Sequence, residues 1–311
     1  MGSGPHESHE SFTTSPSTPT FPYQTAVAFD SALKARLAAA AANSPYELNE
    51  LRRQFAYDRL LVRIFDHEPE SWVLKGGGGL LARLPGQARH SMDLDMYYAG
   101  KLATAIEDLQ DLGADETFGD FFTFVIEPTT LPMPGHACAL AVTASIGNKI
   151  FQEFSIDLVV DTNMTQPPDT VQPLHPADIV GLRSANYRVY ALVDHIADKH
   201  AAMLATYQGN TPSSRHRDLV DLVLIATTQR PHASELRTAL LSEYANRNLV
   251  TPATVELPHP SWDAGYAKAA SKLHIPQTAS QGLDVCRKML EPILAGRITG
   301  TWNPDNLEWH D

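Results

Sequence analysis

The sequence predicts an α+β protein: a domain in which helices alternate with a mixed sheet, followed by an α-helical domain. Three observations predict it. Between Trp72 and Val160, short apolar runs with two-residue alternation are separated by helical stretches. Beyond Pro176 the apolar residues recur at three- and four-residue spacing. The first 25 residues hold five Ser, five Thr and four Pro and little that a core would bury. The expected division is a disordered tail over 1–25, a mixed domain over 26–175 and a helical domain over 176–311.

From Ala28 to about Asn43 the pattern is helical. Ser44-Pro45-x-Glu47 reads as a capping box with Pro at the first helical position, and the stripe Leu48, Leu51, Phe55, Leu60, Leu61, Phe65 carries a second helix to about Asp66. Trp72-Val73-Leu74 is a short strand that Gly76 to Gly79 break, after which Leu80 to Leu84 resumes a helix. Met92 to Tyr98 is a strand and Lys101 to Leu112 an amphipathic helix. Phe121 to Ile126, Ala137 to Ile146 and Phe151 to Val160 then read as strands of a local meander. Past Gln166 to Pro176 only helices are expected: Tyr187 to Tyr207, Arg215 to Thr227, Ser234 to Tyr244, Trp262 to Lys272 and Gln281 to Leu294.

Composition excludes several function classes. A chain of 311 residues with 43% hydrophobic content buries a sizeable core without staples. Its longest apolar runs, such as Ala38 to Ala42, fall far short of the roughly 18 residues of a membrane helix, so no membrane partner is expected. No signal-peptide pattern occurs, and Cys138 and Cys286 lack metal or disulfide spacing, which fits a reducing cytoplasm. The net charge of −12 argues against an unaided, non-specific grip on nucleic acid. All of that excess lies in residues 1–179, while residues 180–311 hold 13 charges of each sign.

The chemistry concentrates in Leu74-Lys75-Gly76-Gly77-Gly78-Gly79-Leu80-Leu81 and, after a loop, Ser91-Met92-Asp93-Leu94-Asp95-Met96. On a strand, Asp93 and Asp95 point to one side about 6.5–7 Å apart along the chain. Paired carboxylates suit a hard cation such as Mg2+, which takes few carboxylates and completes its shell with substrate phosphates. Glycines ahead of a helix let backbone N–H groups approach phosphate oxygens. Each feature alone has a bland counterpart, a flexible turn or a solvated face. Together they point to a nucleoside triphosphate with metal.

Lys199 falls on the apolar stripe Leu192, Ile196, Lys199, Met203, so it needs an anionic partner, a ligand, or a path for its amine to solvent. Asp221, inside Leu219-Val220-Asp221-Leu222-Val223, must likewise meet a cation, with an internal pair to Lys199 or an Arg as the structural alternative. Asp218 lies near the helix start, where a carboxylate is favourable to the dipole. Ser91, two residues before Asp93, shares its side if the strand extends that far. Its hydroxyl satisfies the turn or, if phosphorylated, would place negative charge beside the metal site. His195 and His200 are five apart and share no helix face; the thirteen histidines read mostly as surface or loop residues.

The Gly turn, a spacer to Asp93 of 13 residues from Gly79 or 15 from Gly77, and Asp-apolar-Asp-apolar resemble the DNA polymerase β-like nucleotidyltransferase superfamily. The fuller wording, Leu-Lys-Gly-Gly-x-x-Leu-Leu, Arg89-x-Ser91-x-Asp93-Leu94-Asp95, Asp198-Lys199 and Arg215-x-Arg217-Asp218-x-x-Asp221-Leu222, resembles the AbiEii/MenT family of nucleotidyltransferase toxins over about Val73 to Leu224. The resemblance implies a polymerase β-like core and a pyrophosphate-releasing transfer from NTP to the 3′ end of tRNA. It implies two Mg2+ on Asp93, Asp95 and a third carboxylate, for which Asp157 competes with Asp161. Gly76, Gly77 and Gly78, with Ser91, would bind the nucleotide, Lys199 would clamp the triphosphate, and Asp221, ahead of Asp218, would be the functional aspartate of the helical region. A cognate antitoxin is the implied protein partner. Arg183, Arg188, Arg215, His216 and Arg217 are the expected RNA-facing patch. Three other readings stay open: transfer to a small-molecule or protein hydroxyl, an inactive fold that serves as a binding partner, and a structural protein in which Asp93 and Asp95 are surface charges.

Overall fold

Helix-forming runs in the first third pack around one long segment. Thr25 starts α1 (Ala26–Ala41) by accepting a hydrogen bond from the Ala28 N–H at 3.2 Å. In α2 (Leu48–His67) every residue from Gln54 to Phe65 is buried. Its cap lies three residues later than the spacing predicts. Glu47 is the N-cap and its N–H donates to Glu50 at 2.8 Å, while the Ser44 hydroxyl accepts from the Tyr46 N–H in the preceding turn. The charges on α2 are paired inside: Arg63 makes two bonds to Asp120 (3.0 and 2.6 Å), and Asp58 accepts from both Arg59 and the Tyr187 hydroxyl. This network ties α2 to the start of one edge strand and to a strand near the other edge.

The computed structural model describes residues 21–129, 137–207, 211–212, 215–257, 259 and 261–311. Residues 1–20 of the expected disordered tail lie outside these. Its last five residues belong to the fold: the Phe21 ring meets Tyr23 and Phe29 edge-on, each at 5.3 Å.

The chain continues through β1 (Trp72–Lys75), α3 (Gly76–Arg83), β2 (Asp93–Tyr98), α4 (Leu102–Ala114), β3 (Phe122–Pro128), β4 (Ala137–Ile146), β5 (Lys149–Val159), β6 (Asp169–Val171) and β7 (Tyr187–Val189). These seven strands form one sheet in the order β3-β4-β5-β2-β1-β7-β6. It is mixed, because β2 pairs parallel with β5 and β1 parallel with β7, whereas the other neighbours are antiparallel. Alternation assigns the faces. Leu94, Met96, Ile156 and Leu158 are buried in the core that α1 and α2 cover, so Asp93, Asp95 and Asp157 point to the opposite face.

Two expectations fail here. The strand ends ahead of the glycines as expected, but the helix does not wait for Leu80; Gly76 to Gly79 form the first turn of α3, which tertiary contacts hold helical despite their poor propensity. Strands do not end at Pro176 either. Tyr187 and Val189 are buried with Arg188 between them, a two-residue alternation that places β7 beside β1 and delays the expected helix from Tyr187 to Leu192. The sheet therefore draws strands from both sides of the expected division at residue 175.

The helical part comprises α5 (Leu192–Leu204), a two-residue pair β8 (Thr206–Tyr207) and β9 (Thr211–Pro212), α6 (His216–Thr228), α7 (Ala233–Asn246), α8 (Trp262–Ala270) and α9 (Ala279–Leu294). A hairpin of β10 (Thr301–Asn303) and β11 (Glu308–His310) closes it, again strands where none were expected. The hairpin is pinned by the buried Trp302, whose indole N–H donates to the Ala226 carbonyl at 2.7 Å. Among the described residues no helix is long and apolar enough to cross a membrane.

Candidate active site

The outward face of β2 and β5 borders a cleft of about 400 Å3 whose walls include Gly76, Gly77, Asp93, Asp95 and Asp157 from the sheet side. Asp198, Lys199, Arg215, Arg217 and Asp218 line it from the helical side. Parallel pairing sets Asp95 directly beside Asp157 and Asp93 beside Ser155. The sequence thus supplies a two-residue carboxylate spacing, and strand register brings in the third carboxylate. Asp157 is the one that joins; Asp161 lies past the end of β5 and lines a different surface groove with Asn163 and Ser242.

The glycines serve close approach. Gly76 has φ +52°, and a Cβ there would lie 1.7 Å from Asp95 Oδ2. A Cβ on Gly77 would meet the Ser91 Oγ at 2.5 Å. These two line the cleft. Gly78 does not: a Cβ there would meet Leu74 and Leu94, so this expected member of the phosphate-binding turn packs toward the core and does not line the cleft. Ser91 precedes the strand, is 2% exposed, and donates from Oγ to Asp93 Oδ1 at 3.1 Å, which orients that carboxylate.

Electrostatically the sheet wall is under-compensated. Burial, and then the neighbouring charge of Asp93, push the Asp95 carboxyl up to about 6, against some relief from Lys199. Burial and Asp93 also raise Asp157. Among the described residues no three His, Cys, Asp or Glu side chains converge as a ready-made metal cage.

The helical wall is organised differently. Asp221 is 1% exposed and accepts from Arg89 Nε (2.9 Å), Arg89 Nη2 (2.8 Å) and Lys199 Nζ (2.6 Å). Lys199 also donates to Asp218 at 3.2 Å, and Arg215 reaches Asp218 at 3.4 Å. Burial alone would raise the Asp221 carboxyl, but Arg89 and Lys199 outweigh it and hold the group at about 2. Burial opposes the charge on Lys199, and Asp221 and Asp218 raise its pKa regardless. Asp221 therefore stands behind the cleft as the anchor of Lys199, while Asp218, one turn earlier, reaches the cleft itself.

The expected basic patch divides. Arg215, His216 and Arg217 border the cleft. Arg183 and Arg188 pair instead with Asp66 (3.1 Å) and Glu70 (3.3 Å) near the end of α2. His195 and His200 are not surface residues: both are fully buried in α5, His200 sharing a 2.6 Å hydrogen bond with the Tyr244 hydroxyl. Burial, and then Lys199, push the pKa of His195 well below its ordinary value. Sequence reasoning quoted Arg89 and Asp198 without giving them a role. Arg89 was findable from its alternation with Ser91 and Asp93; Asp198, held by Arg247, had only its place beside Lys199.

Comparison with known proteins follows the same lines. The profile of the nucleotidyl transferase AbiEii toxins of type IV toxin–antitoxin systems matches residues 59–285. The fold is similar to that of MenT4, a nucleotidyltransferase toxin from Mycobacterium tuberculosis H37Rv, with TM-score 0.52 and 17% identity over 86% of this chain and 99% of that one. JHP933 from Helicobacter pylori aligns with TM-score 0.45 and 14% identity over 80% of this chain and 94% of that one. At 17% identity the likeness to MenT4 is one of fold, and that fold is the nucleotidyltransferase fold expected from the sequence. A search of curated proteins finds no match.

Proposed function

This chain belongs to the nucleotidyl transferase AbiEii toxin family of type IV toxin–antitoxin systems, and on that premise we propose that it transfers a nucleotide from NTP to the 3′ end of tRNA in a magnesium-dependent reaction that blocks translation. One observation carries the reading: a single cleft opposes Asp93, Asp95 and Asp157 on the sheet to Lys199, Arg215 and Arg217 on the helices. A triphosphate with divalent cations has charges that mirror this arrangement.

The donor set fits the metal. Its ligands are oxygens only, and the Asp95 carboxyl, raised by burial and then by the neighbouring charge of Asp93, lacks a full counter-charge. Asp93, Asp95 and Asp157 would hold two Mg2+, with substrate phosphates completing the shells. Such ions neutralise triphosphate charge and lower the pKa of an attacking hydroxyl. The remaining work falls to the chain. Ser91 fixes the orientation of Asp93. Gly76 and Gly77, in the first turn of α3, line the cleft, and their N–H groups, which have no partner within the helix, would meet phosphate oxygens there. Lys199 and Arg217 draw the triphosphate toward the helical wall. The acceptor hydroxyl then attacks the α phosphorus, the new P–O bond forms as the bond to pyrophosphate breaks, and pyrophosphate leaves. The site of action is the cytoplasm, and a basic antitoxin is the partner that the acidic surface of residues 1–179 fits.

The test is incubation with each labelled NTP, Mg2+ and total tRNA. Label is expected in tRNA with the wild type and not with Asp93→Ala or in the presence of a chelator. Label in protein or in a small molecule, with none in RNA, would overturn the assigned acceptor.

A further inference from the structure

Lys199 raises a problem that its neighbours resolve. The side chain is 3% exposed, and its ammonium already holds two carboxylates, Asp221 at 2.6 Å and Asp218 at 3.2 Å. An anion entering the cleft competes with both. If Asp221 had Lys199 alone, turning the ammonium toward substrate would leave a buried carboxylate without a counter-charge, which is strongly unfavourable. Asp221 does not have Lys199 alone. Arg89, from the loop between α3 and β2, reaches across to α6 and binds both Asp221 oxygens, through Nε at 2.9 Å and Nη2 at 2.8 Å. Among the described residues, Arg89, Lys199 and Arg215 make the ion pairs to Asp218 and Asp221. Arg89 supplies the cation that lets Lys199 be shared.

We propose that Arg89 is a positioning residue that releases Lys199 to the triphosphate: its two parallel bonds keep Asp221 paired when the Lys199 ammonium turns to an anion in the cleft. The inference rests on the reading of the cleft as a triphosphate site. It also links the halves of the molecule, because the loop that presents Ser91 and Asp93 is the one that Arg89 ties to the helical wall.

Inorganic tripolyphosphate with Mg2+, titrated calorimetrically into the full chain, probes the phosphate subsite without a base or an acceptor. Arg89→Gln is expected to weaken its binding about tenfold, and Asp221→Asn added to Arg89→Gln to recover binding to within about threefold of wild type, because the carboxylate that holds Lys199 back has gone. If Arg89 instead touched the phosphates directly, or only supported the fold, the double variant would stay about tenfold weaker than wild type, because the lost contact or the lost support is not replaced. Wild-type binding by Arg89→Gln, or a double variant no tighter than the single one, overturns the proposal. Should Arg89→Gln not fold, Arg89→Lys makes the same comparison, with an expected loss of about threefold that Asp221→Asn again removes. Wild-type protein that binds no tripolyphosphate would overturn the triphosphate reading itself and this inference with it, an outcome distinct from the other two.

Discussion

The two walls of the cleft handle charge in opposite ways. On the sheet wall, Asp93, Asp95 and Asp157 crowd like charges together, and Asp95 is held near 6 by burial and by Asp93. On the helical wall, every buried charge has a partner, and Asp221 is held near 2 despite complete burial because Arg89 and Lys199 outweigh the desolvation. The first arrangement costs stability and is therefore available to a ligand. The second is self-satisfied and holds its side chains in place. An active site that must gather cations and a polyanion needs both: one surface left incomplete, and one rigid enough to meet it.

The largest effect that would test this contrast is on the paired wall. Asp221→Ala leaves the half-buried Arg89 without its carboxylate and the buried Lys199 with Asp218 alone, and is expected to destabilise the fold by about 3 kcal/mol. Asp157→Ala, which removes an exposed carboxylate, should change stability by no more than about 0.5 kcal/mol while abolishing transfer. Urea denaturation of both variants checks the difference; equal losses would break the comparison.

The next effect has the opposite sign. Asp95→Asn should remove transferase activity and yet stabilise the protein at pH 7 by about 1–2 kcal/mol, since it relieves a half-buried, repelled charge. The pH dependence follows from the shift. With its folded value raised from 3.8 to about 6, Asp95 takes up a proton in the folded state more readily than in the unfolded chain, so its contribution to stability is largest at low pH and is lost as pH rises through about 6. Asp221 works the other way: its contribution is present above 3.8 and is lost as pH falls toward about 2. Denaturation profiles between about pH 4 and pH 7, the window of the Asp95 shift, should show a falling component that Asp95→Asn lacks. An unchanged slope in that variant would sink the assignment.

The smallest effect concerns the hydroxyl that joins loop to strand. Ser91→Ala loses the 3.1 Å bond to Asp93 and should cost about 0.5–1.5 kcal/mol, with activity reduced by less than about tenfold. A loss of activity as complete as that of Asp93→Ala would give Ser91 a larger role than orienting one carboxylate.

Much of this was legible in residue order, for reasons that local physics supplies. Alternation along Asp93-Leu94-Asp95-Met96 assigns two carboxylates to one face before any partner strand is known, and the helical spacing around Lys199 declares that a charge is buried there. The same patterning marks the strands that became β1 to β5 and the helices that became α6 to α9. Short-range signals failed where long-range contacts outweighed them. Four glycines read as a break because their propensity is poor, yet close approach to Asp95, Ser91 and the Leu74 backbone makes glycine the residue that fits a helix start at that point. Tyr187-Arg188-Val189 is too short to declare itself a strand and became one because β1 offered it an edge.

What the sequence alone determined is the chemical inventory and its local facing: which carboxylates share a strand face, which lysine falls on an apolar helix stripe, and which family the motifs resemble. What only the tertiary structure decided is pairing across distance. Strand register chose Asp157 over Asp161 by setting it beside Asp95. Packing placed Asp221 behind the cleft and Asp218 at it, and brought Arg89 across 132 residues of chain to both Asp221 oxygens. Periodicity constrains a residue against its near neighbours, whereas the partner of a buried charge is selected by the low-dielectric interior that forms only when the two halves meet.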